Sequence, residues 1–155
     1  MSFIQLVYSD LLRINGDQVT FPLKAFFSNS FRAIFLIRLA TTRSSSTWVL
    51  AMLSKWLLKN IFCIEINREC HIGAGLFLPH PRDIIIGSHN IGCNCTIMHG
   101  VTLGSDTIDF GINCGSRPKV GEECFLGINS VILGGGSLKN KTVVKPNSFL
   151  HLKKR

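Results

Sequence analysis

The sequence predicts a mainly β protein, a parallel β-helix preceded by a short α-helical segment. Three observations carry that prediction. From residue 66 onward, aliphatic side chains return every six residues. Glycine and asparagine recur at a fixed offset from them. Before that point the apolar spacing is helical, three and four residues apart.

The helical segment covers residues 1–62, and its clearest stretches are SFRAIFLIRLATTR and STWVLAMLSKWLLKN. Pro22 is placed to open the first, and Ser46 or Thr47 to cap the second. Trp48, Leu53, Trp56 and Leu57 are expected to form a packing face. Lys55 and Lys59 lie on the same stretch, and a basic amphipathic helix can also lie on a membrane surface, so that reading stands beside the first.

The repeat begins with Ile66, Ile72 and Leu78. After one extra residue come Ile85, Ile91, Ile97 and Leu103; after a loop come Val120, Leu126, Ile132, Leu138, Val144 and Leu150. A helix or an ordinary strand pair gives no reason for a period of six. A chain that coils, with each short strand forming one face, does. Three residues after an aliphatic position stand Gly75, Asn94, Gly100, Asn129, Gly135 and Asn147, types that tolerate the left-handed backbone of a tight corner. Four residues after it stand Cys70, Cys95, Val101, Cys124, Ser130, Gly136, Thr142 and Ser148, small enough to fill a narrow interior. Packing thus accounts for three cysteines, and no base is evident beside any of them for a thiol mechanism.

The chain is expected to form one domain: the helical segment, a β-helix over 63–152 with a loop at 104–118, and a basic tail at 153–155. Charged residues make up only 17%, which points to surface buried between subunits. The net charge of +8 suits an anionic ligand or surface. No aromatic-basic motif supports nucleic-acid binding. No signal peptide or membrane span is expected, since cations interrupt every long apolar run. Six cysteines without a CxxC pair then fit a reducing cytoplasm rather than disulfides or a zinc ribbon.

The hexad pattern resembles that of the hexapeptide-repeat acyltransferases, which implies a left-handed β-helix, an exception to the usual right-handed crossover. IEINRECHIGAGLFLPH, TIMHGVTLG and RPKVGEECFLGINSVILGGG resemble the serine acetyltransferase group, most closely the short members of capsule and exopolysaccharide gene sets such as the colanic acid acetyltransferase. The resemblance implies acetyl transfer from acetyl-CoA to a hydroxyl, with no metal, in a homotrimer with sites between β-helices. His80 takes the place of the catalytic base, and Glu65 that of the acidic residue that orients it. The two are fifteen residues apart, three short of a full coil, so one corner of adjacent coils is expected to hold both.

His99 holds the same hexad position as His80 and is expected to contact substrate. Gly127, Gly134, Lys139 and Lys145 are candidates for the coenzyme A groove, and Arg117 for an acceptor anion. Pro79 replaces the family's aspartate, and Ser116-Arg117-Pro118 its Arg-His-Pro. These departures favour a sugar hydroxyl in glycan biosynthesis, with loop 104–118 over the cleft. Serine O-acetylation is the alternative; a noncatalytic scaffold or membrane-docking module at the inner face of the membrane is another. Histidine spacings of nine, nine and ten do not match the close pair of the zinc hydratases that share this fold.

Overall fold

The computed structural model describes residues 1–16, 27–42, 47–107 and 114–153. Pro22, Ser46, the middle of loop 104–118 and the last two tail residues lie outside them. Among the described residues three helices come first: α1 (Phe3–Ile14), α2 (Asn29–Ala40) and α3 (Trp48–Leu57), the last continuing into a π turn at Leu58–Phe62. The sequence reading did not single out α1. A capping box starts it, Ser2 and Gln5 each accepting the other's backbone N–H. Thr47 precedes α3 without a side-chain capping bond.

Twelve strands follow: β1 (Glu65–Ile66), β2 (His71–Ile72), β3 (Ile85–Ile86), β4 (Asn90–Ile91), β5 (Thr96–Ile97), β6 (Thr102–Gly104), β7 (Lys119–Val120), β8 (Phe125–Leu126), β9 (Val131–Leu133), β10 (Ser137–Leu138), β11 (Val143–Val144) and β12 (Phe149–His151). They form three parallel sheets. The first is β1-β3-β6-β9-β12, the second β10-β7-β4-β2 and the third β11-β8-β5, which a bridge from Phe77 to Thr96 extends. Each sheet is one face of a parallel β-helix, as the period of six requires. Ile66, Ile86, Leu103 and Ile132 stack inside the first face, Ile91, Val120 and Leu138 inside the second, and Ile97, Leu126 and Val144 inside the third.

Two corrections concern the repeat's frame. Ile85 pairs with Thr102 and points out, 42% exposed, whereas Ile86 pairs with Leu103 and is fully buried. The corner before β3 is therefore longer by two residues, not one, and the step from Ile86 to Ile91 is one residue short. Five expected corner residues, Gly75, Asn94, Gly100, Asn129 and Asn147, do adopt positive φ; at the sixth corner Gly134 does so instead of Gly135. The expected small residues Cys70, Cys95, Val101, Cys124, Ser130 and Gly136 are buried.

The helices pack across the first coil through charged side chains. Asp10 and Arg38 form a fully buried pair, with the Arg38 Nε 2.8 Å from the Asp10 Oδ2. Arg38 also donates to the carbonyls of Ile72 and Gly73, both at 2.6 Å, and Asp10 accepts from the Leu76 N–H at 2.8 Å. Arg13 donates to the Gly75 carbonyl and to the Thr96 hydroxyl. Burial pulls the Arg13 guanidinium below its ordinary range. Two of the cations behind the net charge are thus internal ties rather than surface for a ligand. Removing one member of a buried, hydrogen-bonded pair costs about 3–5 kcal/mol. Arg38→Met should lower stability by that order in urea denaturation, whereas exposed Lys119→Met should change it by less than about 0.5 kcal/mol.

Candidate active site

The three corners of the β-helix divide the candidate residues. Residues 78–84, 98–101, 127–130 and 145–148 turn from the third face to the first. Along this corner Asp83, Gly100, Asn129 and Asn147 share the left-handed conformation, and Gly100 and Asn129 donate to the carbonyls of Arg82 and His99 on the preceding coil. Five steps lead from Leu78 to Asp83 but three from Ile97 to Gly100. Pro79-His80-Pro81 occupies this enlarged part, and it leaves His80 exposed. Neither proline has a backbone N–H, so the two positions flanking His80 bring no donor that the coil would have to satisfy.

His80 and His99 meet at this corner, their rings 5.9 Å apart and edge to face. They line an open cleft of about 450 Å³ with Asn29, Phe62, Pro79, Pro81, Arg82 and Asp83. The helices contribute two of these residues: Asn29 begins α2 and Phe62 ends the π turn. The Phe62 carbonyl accepts the Asp83 N–H at 3.1 Å, which ties the turn to the corner. The His99 Nδ1 is buried without a hydrogen-bond partner among the described residues, an arrangement that costs about 1–3 kcal/mol and that a bound polar group would relieve. Arg82 and Asp83, which the sequence reading missed, bring a cation and a carboxylate to the same cleft. Their signal was their position directly after the proline-flanked histidine.

Other expectations divide differently. Glu65 pairs in register with Ile85, and its carboxylate lies 2.9 Å from the Lys59 Nζ, both groups exposed, rather than in an ion pair with His80. It does not line the cleft. Arg117 is at the corner from the first face to the second, where it acts electrostatically on Cys70. The described ends of loop 104–118 share that corner, tied by a 2.8 Å bond between Ser105 and Ser116 and by Asp106 with His151 at 2.9 Å; none of them lines the cleft.

Of the coenzyme candidates, Gly127 and Lys145 lie on the histidine corner, while Gly134 lies on the loop corner and Lys139 on the third. Backbone packing accounts for both glycines. A Cβ at Gly127 would come within 2.6 Å of the Val144 carbonyl oxygen, and Gly134 has a φ of +97°. Lys145 is exposed beside the Gly127 turn and can meet a phosphate there. Among the described residues no group of three metal-ligating side chains converges.

The buried thiols are not nucleophiles. The Cys95 Sγ donates to the Gly121 carbonyl at 3.1 Å, and Cys124 does the same to Lys139 at 3.2 Å. Cys70 lies 3.3 Å from the Ser88 hydroxyl. Burial pushes the Cys70 and Cys95 thiols up to about 11, so both stay protonated at neutral pH. Exposed Cys63 should therefore react first with a thiol reagent at pH 8, and Cys70 and Cys95 only after unfolding or as the pH approaches 11. Mass-spectrometric mapping of iodoacetamide labelling would read the order.

Comparison with known proteins places this geometry. The family model for the hexapeptide repeat of succinyl-transferase matches residues 119–150. Serine acetyltransferase 5 of Arabidopsis thaliana is 36% identical over 95 residues, 60% of this chain and 28% of that protein. Serine acetyltransferase 2 of the same plant is 35% identical over 104 residues, 66% and 31% of the two chains. The chain thus spans less than a third of these relatives' length. Among solved structures, a serine acetyltransferase complex with cysteine superposes with a TM-score of 0.79 at 22% identity, covering 99% of this chain and 61% of that one. The Neisseria gonorrhoeae serine acetyltransferase gives 0.74 at 23% identity, with 97% and 60% covered. These relatives carry the name of the alternative acceptor, serine, and not of the sugar expected from the sequence. Residues 119–150 thus match the hexapeptide repeat, and the chain has the left-handed β-helix fold seen in the serine acetyltransferase structures.

Proposed function

We propose that the chain transfers an acetyl group from acetyl-CoA to a hydroxyl, with His80 as general base and L-serine as acceptor. The observation that carries this reading is the facing pair His80 and His99, in a cleft that also offers Arg82 and Asp83. His80 takes the hydroxyl proton as the oxygen attacks the thioester carbonyl. The carbon–sulfur bond breaks, and the imidazolium returns the proton to the departing thiolate. An amino-acid acceptor carries a carboxylate and an ammonium, and Arg82 and Asp83 are complementary to them. The related serine acetyltransferases, one of them solved in complex with CoA, supply the donor and acceptor in this reading.

A homotrimer is the assembly that suits the surface. Ile85 and Phe149 on the first face, and Phe125 and Val143 on the third, are exposed apolar side chains. The second face presents His71, Asn90, Lys119 and Ser137. Two apolar faces and one polar face allow each β-helix to contact two neighbours around a threefold axis.

The test is CoA release from acetyl-CoA, read with a thiol reagent against enzyme-only blanks, with L-serine and a panel of nucleotide sugars. L-serine should support release, and His80→Ala should lower kcat by about 10²–10⁴. Release with a sugar alone would return the acceptor to glycan chemistry, and full activity in His80→Ala would overturn the base assignment. Within the same reading, Asp83→Asn and Arg82→Ala should raise the KM for serine about tenfold or more, with kcat within about threefold, because each removes a contact made in both ground and transition states. Steady-state kinetics with varied serine separates the two parameters.

A further inference from the structure

Of the packing face expected on α3, Leu57 is half-buried but Trp48, Leu53 and Trp56 are not packed. Ala51, Ser54 and Leu58 turn inward, while Trp48, Val49, Met52, Leu53 and Trp56 are exposed, the two tryptophans at 52% and 61%. They form one continuous apolar strip along the helix, followed by exposed Ile61 on the π turn. Lys55 borders the strip and Arg68 acts electrostatically on it; Lys59, on the π turn, is paired with Glu65, and α3 contains no acidic residue. We propose that this face docks on an anionic lipid bilayer, with α3 lying in the headgroup layer.

Charge selects this occupant. A second copy packed symmetrically on the strip would bring two sets of Lys55 and Arg68 toward each other, whereas an anionic surface neutralises them. Side-chain type agrees with it. Tryptophan favours the bilayer interface, where its ring is buried and its N–H stays hydrated, and lysine reaches from an apolar face to the phosphates. Among the described residues no helix is long and apolar enough to cross a membrane, so the contact lies on the surface. The π turn that continues α3 ends at Phe62, which lines the His80 cleft. Docking therefore holds the cleft close to the membrane. Only the catalytic use of that position rests on the acetyl-transfer reading; the docking stands without it.

Trp48 and Trp56 are the chain's only two tryptophans, so their fluorescence reports on this face alone. Titrating the full chain with phosphatidylcholine vesicles containing phosphatidylglycerol should shift the emission to the blue, and bromine-labelled lipid should quench it. Pure phosphatidylcholine should bind at least tenfold more weakly. Lys55→Glu with Arg68→Glu should reduce binding to the anionic vesicles about tenfold or more. Met52→Glu with Leu53→Glu should abolish it while far-ultraviolet circular dichroism stays unchanged; should that variant not fold, the Lys55 and Arg68 pair still tests the proposal. Absence of a shift with anionic vesicles would overturn it. So would emission already blue-shifted in a larger assembly that the Met52 and Leu53 changes dissociate, since a second copy would then own the face. Neither result depends on whether serine is acetylated.

Discussion

The buried Asp10–Arg38 pair is the constraint on which the arrangement of helices and β-helix depends. A β-helix has an open first coil whose backbone groups have no preceding strand to pair with. Here the guanidinium of Arg38 meets the Ile72 and Gly73 carbonyls, and the Asp10 carboxylate meets the Leu76 N–H. Arg13 covers the Gly75 carbonyl. The first coil ends against ionised side chains that satisfy its backbone as another coil would. The same bonds fix α1 and α2 in place, and α2 brings Asn29 to the cleft. Such a pair costs desolvation, and its five hydrogen bonds to ion partner and backbone offset that cost.

The cleft itself comes from an irregularity. Where the corner keeps its short form, the column continues from His99 to Ile128 and Pro146, and the turn simply closes. Two added residues before Asp83 move His80 out of the stack while Asp83 still takes the left-handed corner conformation. The step from Ile86 to Ile91 is one residue short, and by β4 the strands are again in register with β2 and β7. The coils can therefore carry a local enlargement without losing their ladder. A reactive side chain gains exposure there, while Leu78 and Ile84 at either end stay fully buried.

Much of the scaffold was legible in the sequence because a strict period leaves few physical solutions. The inward stacks, the small cysteine and serine positions and most left-handed corners follow from it. The frame failed at Ile84-Ile85-Ile86, where three identical side chains in a row give no alternation to read. Only the strand pairing shows that the middle one points out. The meeting of His80 with His99 was legible because both keep one offset from equivalent aliphatic positions. The pairing of Glu65 with Lys59 was not, since it depends on a lysine that the π turn supplies from outside the repeat. Arg82 and Asp83 were passed over because adjacent charges in a turn usually mean no more than solvation.

Charge and apolarity were also harder to place than the repeat, for a common reason. Both were read by residue type, and both are decided by what lies opposite. Arg38 looks like one more cation of a basic helix, yet it is buried against Asp10 and a coil edge. Trp48 and Trp56 look like core, yet α3 packs on α2 with Ala51 and Ser54 buried and both tryptophans exposed. Small residues let helices approach closely, so the large side chains need not take part in the contact. A helix that packs through its small face leaves its large apolar face for something other than its own core. That division gives α3 two partners on opposite sides. The inner one is α2, which brings Asn29 to the cleft; the outer one, on the present reading, is the bilayer.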